Sequence, residues 1–162
     1  MLNIIKNYNT SNKTVAILID YTLKDNLIKN YNNLEEEWDI NTKIKFIENI
    51  LIGLPLNINI FLTDDFIKPH LTYSIISGQQ ILLTLKEFYF PNKNNKWNGI
   101  LTNTVIKELE AKTFITIPTN LQKKFLNTEI INYHITLNLE NINNIETFKE
   151  TISKIFNQLN FK

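Results

Sequence analysis

Tyr73–Leu85 reads YSIISGQQILLTL, and this stretch organises everything around it. Leu71–Ile76 is short, apolar and rich in β-branched residues, as a buried strand is. Gly78 interrupts it. Gln79–Phe88 then places Leu82, Leu83, Leu85 and Phe88 at helical spacing. Strand, glycine turn and helix follow within one short span. A helix start exposes free backbone N–H groups and the positive end of the helix dipole. A glycine there lets a ligand approach the backbone closely. Ser77, Gly78, Gln79 and Gln80 are therefore a candidate phosphate cradle. The same four residues also spell a capping box, in which Ser77 accepts from the Gln80 N–H and Gln80 reaches back to Ser77. That reading needs no ligand.

Upstream, Asp39–Ile52 is the clearest helix. Ile40, Ile44, Ile47, Ile50 and Leu51 recur at helical spacing. Asp39 or Asn41 caps its start, Gly53 suits the left-handed position after its end, and Pro55 prevents continuation. Ile58–Leu62 reads as a strand and Thr63–Pro69 as a polar loop. Thr14–Asp20 (TVAILID) reads as a buried strand, Leu23–Asn33 is ambiguous, and Asn3–Lys13 is a polar, loose arm. Downstream, Pro91–Asn98 is a loop around Trp97, and Ile100–Ile106 alternates like a strand. Pro118 opens a helix to about Phe125. Ile130–Leu139 alternates, with Ile131, Tyr133, Ile135, Leu137 and Leu139 on one side. Ile145–Leu159 closes the chain as an amphipathic helix. Interleaved strands and helices predict an α/β or α+β class, with residues 1–13 as an arm and 14–162 as one domain.

The chain has 162 residues and a formal net charge of +1, so no strong overall field draws it to nucleic acid. It has no cysteine, which excludes a thiolate metal site and a cysteine nucleophile. No stretch reads as a signal peptide, and the apolar runs fall far short of the ~20 residues that cross a membrane. A cytoplasmic protein is the expectation. All 17 basic residues are lysine. Arginine is the usual bidentate clamp on phosphate, and lysine replaces it only as a point charge. The heavy use of Asn, Ile and Lys fits an AT-rich genome, such as that of a bacterium, a virus or a mobile element.

Ser77-Gly-Gln-Gln-Ile81 resembles the Asp-Gly-Gln-Gln-Arg motif of the N-terminal domain of GmrSD-type modification-dependent restriction proteins. More of the chain agrees, in order. Trp38 precedes Ile47-Glu-Asn-Ile-Leu-Ile-Gly-Leu-Pro55, which is similar to a family helix end running into a strand, here Ile58–Leu62. Phe114–Asn127 and Ile130–Leu137 resemble the next helix and strand. Ile155-Phe-Asn-Gln-Leu-Asn160 resembles the family's last helix end. The resemblance spans about Leu34 to the C-terminus. It implies a ParB/sulfiredoxin-like mixed sheet with flanking helices, and a nucleoside triphosphate with Mg²⁺ as the ligand class where the site is retained. The departures matter equally. The family's motif Asp is Ser77 and its motif Arg is Ile81. A second Arg falls near Leu34, and a third is Gln158. The charged groups that phosphoryl transfer relies on are missing. The expectation is a non-catalytic, pseudoenzyme-like binding or regulatory module in a defence or counter-defence setting. The resemblance further leads us to expect no nuclease domain after this one and a full-length relative as the protein partner. Nucleotide binding or weak hydrolysis at the Gly78 turn is the second reading. Gly78→Val should then abolish binding and leave the fold intact.

Other residues divide between bland and functional roles. Trp97 among Lys93 and Lys96 either stacks a base or tucks onto the core; with Lys123 and Lys124 it forms the candidate contact for weak, salt-dependent nucleic-acid binding. Glu35-Glu36-Glu37 and Asp64-Asp65 read as solvated acidic runs, Asp64-Asp65 with the option of bordering the Gly78 turn. His70 and His134 have no metal-ligand spacing and read as solvated or hydrogen-bonded. No metal site is expected.

Overall fold

The computed structural model describes residues 3–24 and 26–160. Strand β1 (Ile5–Thr14) leads directly into helix α1 (Val15–Leu23), followed by the two-residue β2 (Ile28–Lys29). An irregular strap, residues 30–39, leads to α2 (Ile40–Ile52). Then come β3 (Asn59–Asp64), β4 (Tyr73–Ser77), α3 (Gln79–Tyr89), α4 (Thr119–Asn127), β5 (Glu129–Leu137) and α5 (Ile145–Leu159). The five strands form one mixed sheet in the order β1-β5-β3-β4-β2. The β1–β5 and β3–β4 pairs are antiparallel; β3–β5 and β2–β4 are parallel. The α/β class is therefore the one the chain adopts.

The sheet separates two apolar clusters. Ile60, Leu62, Ile75 and Ile130 share a core with α1 to α4. Ile76, Ile135 and Leu137 pack with Phe148, Ile152 and Ile155 of α5 on the other side. This split follows from the period-2 alternation of β5. Local chemistry ends α2 as its sequence suggests. Asp39 accepts from the Thr42 N–H at 2.7 Å, and Gly53 sits at φ 82° with its N–H on the Asn49 and Ile50 carbonyls.

Three expectations are corrected. Thr14–Asp20 is not a strand but the start of α1, capped by the Thr14 side chain. Its buried residues Val15, Leu18 and Ile19 lie at helical spacing, which a short apolar run does not distinguish from a strand by composition. Asn3–Lys13 is not a loose arm; from Ile5 it is β1, paired with β5 as far as Thr14↔Glu129. An edge strand is held by backbone hydrogen bonds and needs little apolar patterning, so its polarity misleads. Met1 and Leu2 of that segment, and Phe161 and Lys162 at the other end, lie outside the described residues. Ile100–Ile106 is irregular rather than a strand. The amides of its last four residues are taken by carboxylates: Glu110 accepts from Asn103 and Thr104, and Glu48 from Val105 and Ile106. No helix among the described residues is long and apolar enough to cross a membrane.

Candidate functional site

β4 delivers Ser77 to a turn at Gly78, whose φ of 106° is open to glycine and strained for other residues. A Cβ there would lie 2.9 Å from the Ile60 side chain and 3.1 Å from the Ile60 Cα, so the turn is seated against β3. α3 starts one residue later and points three backbone N–H groups outward. All three donate to one carboxylate. Glu35 Oε2 accepts from Gly78 and Gln79, each at 2.9 Å, and Oε1 accepts from Gln80 at 3.2 Å. The three amides at this turn are thus occupied by a carboxylate of the chain itself, and Ser77 takes no part in the contact.

The capping box does not form. Gly78, not Ser77, is the residue that precedes α3, and no side chain of that residue caps the helix. A charged carboxylate makes stronger hydrogen bonds to amides than a serine hydroxyl does, and Glu35 takes them. Gln80 turns the other way: its Oε1 accepts from the Trp38 N–H at 3.1 Å and fastens the strap to α3. The Gln79 side-chain oxygen is fully buried and accepts no hydrogen bond.

Gln79 and Gln80 line a cleft of about 340 Å³ with Glu35, Glu37, Lys43 and Glu87. Lys43 Nζ lies 2.5 Å from Glu87 Oε1, and the other Glu87 oxygen accepts from the Trp97 N–H at 3.0 Å. Lys96, on the rim, pairs with Glu37 at 2.6 Å, a contact that holds the Glu37 carboxyl below its ordinary range. Three carboxylates thus face two ammonium groups, and the cleft carries one net negative charge.

Glu35, Lys43 and Glu87 are not residues that the sequence singles out. Glu35 lies inside an acidic run with nothing to distinguish it from Glu36 and Glu37. Lys43 has a legible mark, since it falls among Ile40, Ile44 and Ile47 on the apolar side of its helix. A lysine there implies a buried partner.

The remaining candidates disperse. Trp97 is 1% exposed, stacks on Phe88 with a 6.0 Å centroid separation, and donates its indole N–H to the Ile100 carbonyl. It is core, and no nucleic-acid base can reach its face. Lys93 is exposed on the loop; Lys123 and Lys124 are exposed on α4. A Cβ built at Gly53 would lie 2.8 Å from the Lys124 ammonium, so this lysine sits at the C-terminal, negative end of α2. Asp64 and Asp65 do not border the Gly78 turn. Asp64 is opposite Tyr73 while Phe61 is opposite Ser77, which places the acidic pair at the other end of β4. Asp64 bonds His134 at 2.9 Å. Asp65 is 1% exposed and gathers Tyr31, Thr72, Ser74 and the Lys68 amide. His70 is exposed on its loop. Set beside known proteins, the chain matches no family model, no curated protein and no solved structure.

Proposed function

We propose that this chain is a non-catalytic binding module, a degenerate counterpart of the GmrSD N-terminal, ParB/sulfiredoxin-like type, acting through a protein partner in defence or counter-defence. The observation that supports this reading is the Glu35 carboxylate on the amides of Gly78, Gln79 and Gln80. A nucleoside triphosphate needs those donors free and needs cations around its charge. Here the donors are taken, the two lysines of the cleft are already paired, and the cleft is net negative. With no arginine in the chain, nothing replaces the missing charge.

The test is a thermal-shift titration of the protein with ATP, GTP, CTP and UTP, each with and without Mg²⁺. Ligand at one hundred times its dissociation constant stabilises a protein by about 2.7 kcal/mol, a readily visible shift. No shift is expected with any of the four. A nucleotide-selective rise in midpoint overturns the reading and makes the Gly78 turn a working nucleotide site. On the positive side, gel filtration with a full-length GmrSD-type protein should yield a complex.

A further inference from the structure

We propose that β1 is an interaction edge, on which a second copy of this chain pairs antiparallel about a two-fold axis at Thr10 and makes the two sheets continuous. The inference goes beyond the reading above and rests on the sheet, not on the Gly78 turn.

β1 is the outermost strand of the sheet, and among the described residues only β5 pairs with it. Its outer side is uncovered. Residues 5–12 are all exposed, and α1 turns away from the strand's end to pack with α3 and α4. In an antiparallel pair, alternate residues turn their N–H and C=O groups to the neighbour, and those between turn them away. The Val15 N–H donates to the Thr128 carbonyl at 2.9 Å, which fixes the phase. Asn9, Ser11 and Lys13 therefore face β5, while Tyr8, Thr10 and Asn12 hold their backbone groups outward. Natural edges are blunted by charge, proline or a bulge. β1 has such devices only at its ends: a bulge between Ile5 and Asn7, with Lys6 inside it, and Lys13. The stretch between, Asn7-Tyr-Asn-Thr-Ser-Asn12, carries no charge and no proline.

The pattern of this edge selects its own copy. Outward backbone groups must meet outward backbone groups, and an axis at Thr10 satisfies all of them. Thr10 then meets Thr10 of the second copy, and Tyr8 meets Asn12 in both directions. A shift toward the end of the strand would enlist Thr14, whose carbonyl is committed to α1 as its N-cap. A shift the other way would enlist the bulge. In the Thr10 register no lysine faces a lysine. Lys13 falls opposite Asn7, and Lys6 opposite Thr14, beside which β5 carries the exposed Glu129. Like charges are kept apart, and Lys6 approaches an opposite one. Tyr8, 63% exposed, joins the row of Asn12 of the second copy, whose neighbour on β5 is Ile131, 43% exposed. The opposite edge of the sheet is β2, Ile28–Lys29, too short to pair in this way. Each copy offers one usable edge, so association closes at a dimer and builds no filament.

The experiment combines sedimentation of the full chain, from micromolar to millimolar concentration, with amide hydrogen exchange. The wild type should pass from monomer to dimer. The amides of Tyr8, Thr10 and Asn12, which exchange freely in the monomer, should gain protection as it does. Thr10→Pro removes an N–H that faces away from β5, so β1 stays in the sheet while the dimer is lost. Should Thr10→Pro fold poorly, Thr10→Lys and Thr10→Glu each set like charges face to face at the axis. Either alone should stay monomeric, and an equimolar mixture of the two should restore the dimer. A wild type that is monomeric throughout overturns the proposal, even where a foreign extended peptide protects the same amides. So does a dimer that Thr10→Pro, or each charge variant alone, leaves as strong as the wild type's, since another surface then makes it.

Discussion

The ammonium of Lys43 and the carboxylate of Glu87 meet at 2.5 Å, each side chain 2% exposed, although the residues are 44 positions apart in the chain. The pair ties α2 to α3 beneath the cleft. Removing one partner of a buried pair leaves the other charge uncompensated, which costs about 3–5 kcal/mol. Lys43→Met should therefore lower the unfolding free energy by that order in a urea titration. Lys43→Met with Glu87→Gln should recover most of the loss, since the substituted side chain keeps an oxygen that can accept from the Trp97 amide. If single and double variants are equally destabilised, the cost lies in packing and not in the stranded charge.

Asp65 and Tyr31 should give the protein a stability edge at each end of the pH scale. Burial works to raise the Asp65 pKa, but the hydrogen bonds from Tyr31, Thr72 and the Lys68 amide, with Lys29 nearby, outweigh it and leave the group below its ordinary 3.8. A depressed folded pKa contributes stability above the ordinary value, and the contribution is lost as pH falls through the folded value. Tyr31 runs the opposite way. Burial first, then the hydrogen bond to Asp65 and its charge, push the phenol from 10.0 up to about 12. The neutral form is favoured in the folded state, so stability should fall as pH rises from 10.0 to about 12. Thermal midpoints measured across pH should show both edges. Tyr31→Phe should weaken both edges, with burial of Tyr73, which also raises its phenol pKa, leaving a residual alkaline one; an unchanged alkaline edge removes Tyr31 as a source of it.

Gly78 is a structural residue as well as a site residue, so the variant suggested by the sequence is not a neutral probe. At φ 106°, with a Cβ only 2.9 Å from Ile60, any side chain meets both backbone strain and a collision. The strain alone costs about 1–3 kcal/mol. Gly78→Ala should lower the midpoint of urea unfolding, and Gly78→Val should do so more severely. A Gly78→Val protein as stable as the wild type would mean the turn relaxes freely, contrary to its tight seat on β3.

Much of the fold is legible wherever residues close in sequence settle their own conformation. α2 and α5 can be read with their ends, because the cap, the periodic apolar face and the terminating residues lie inside one segment. The alternation of β5 puts Ile135 and Leu137 on one face as read, but Ile131 at its start is exposed, Leu139 lies beyond the strand, and the opposite face buries Ile130 and Asn132. The readings that fail depend on distant neighbours. β1 is a strand because β5 pairs with it, and the 103–106 stretch is irregular because Glu48 and Glu110 hold its amides.

The candidate site divides along the same line. The sequence by itself determined that a glycine turn opens a helix near Gln79, that a helix start exposes backbone amides, and that no arginine is available to meet a phosphate. It also determined the α/β class. Tertiary structure alone decided which acceptor those amides find. Three adjacent glutamates are equivalent on paper, and Glu35 lies 43 residues from Gly78. Only the path of the strap across α3 selects it. The choice rests on placement: a hydrogen bond depends on ångström-scale distance and direction between groups, and nothing in residue identity fixes the separation of groups so far apart in the chain.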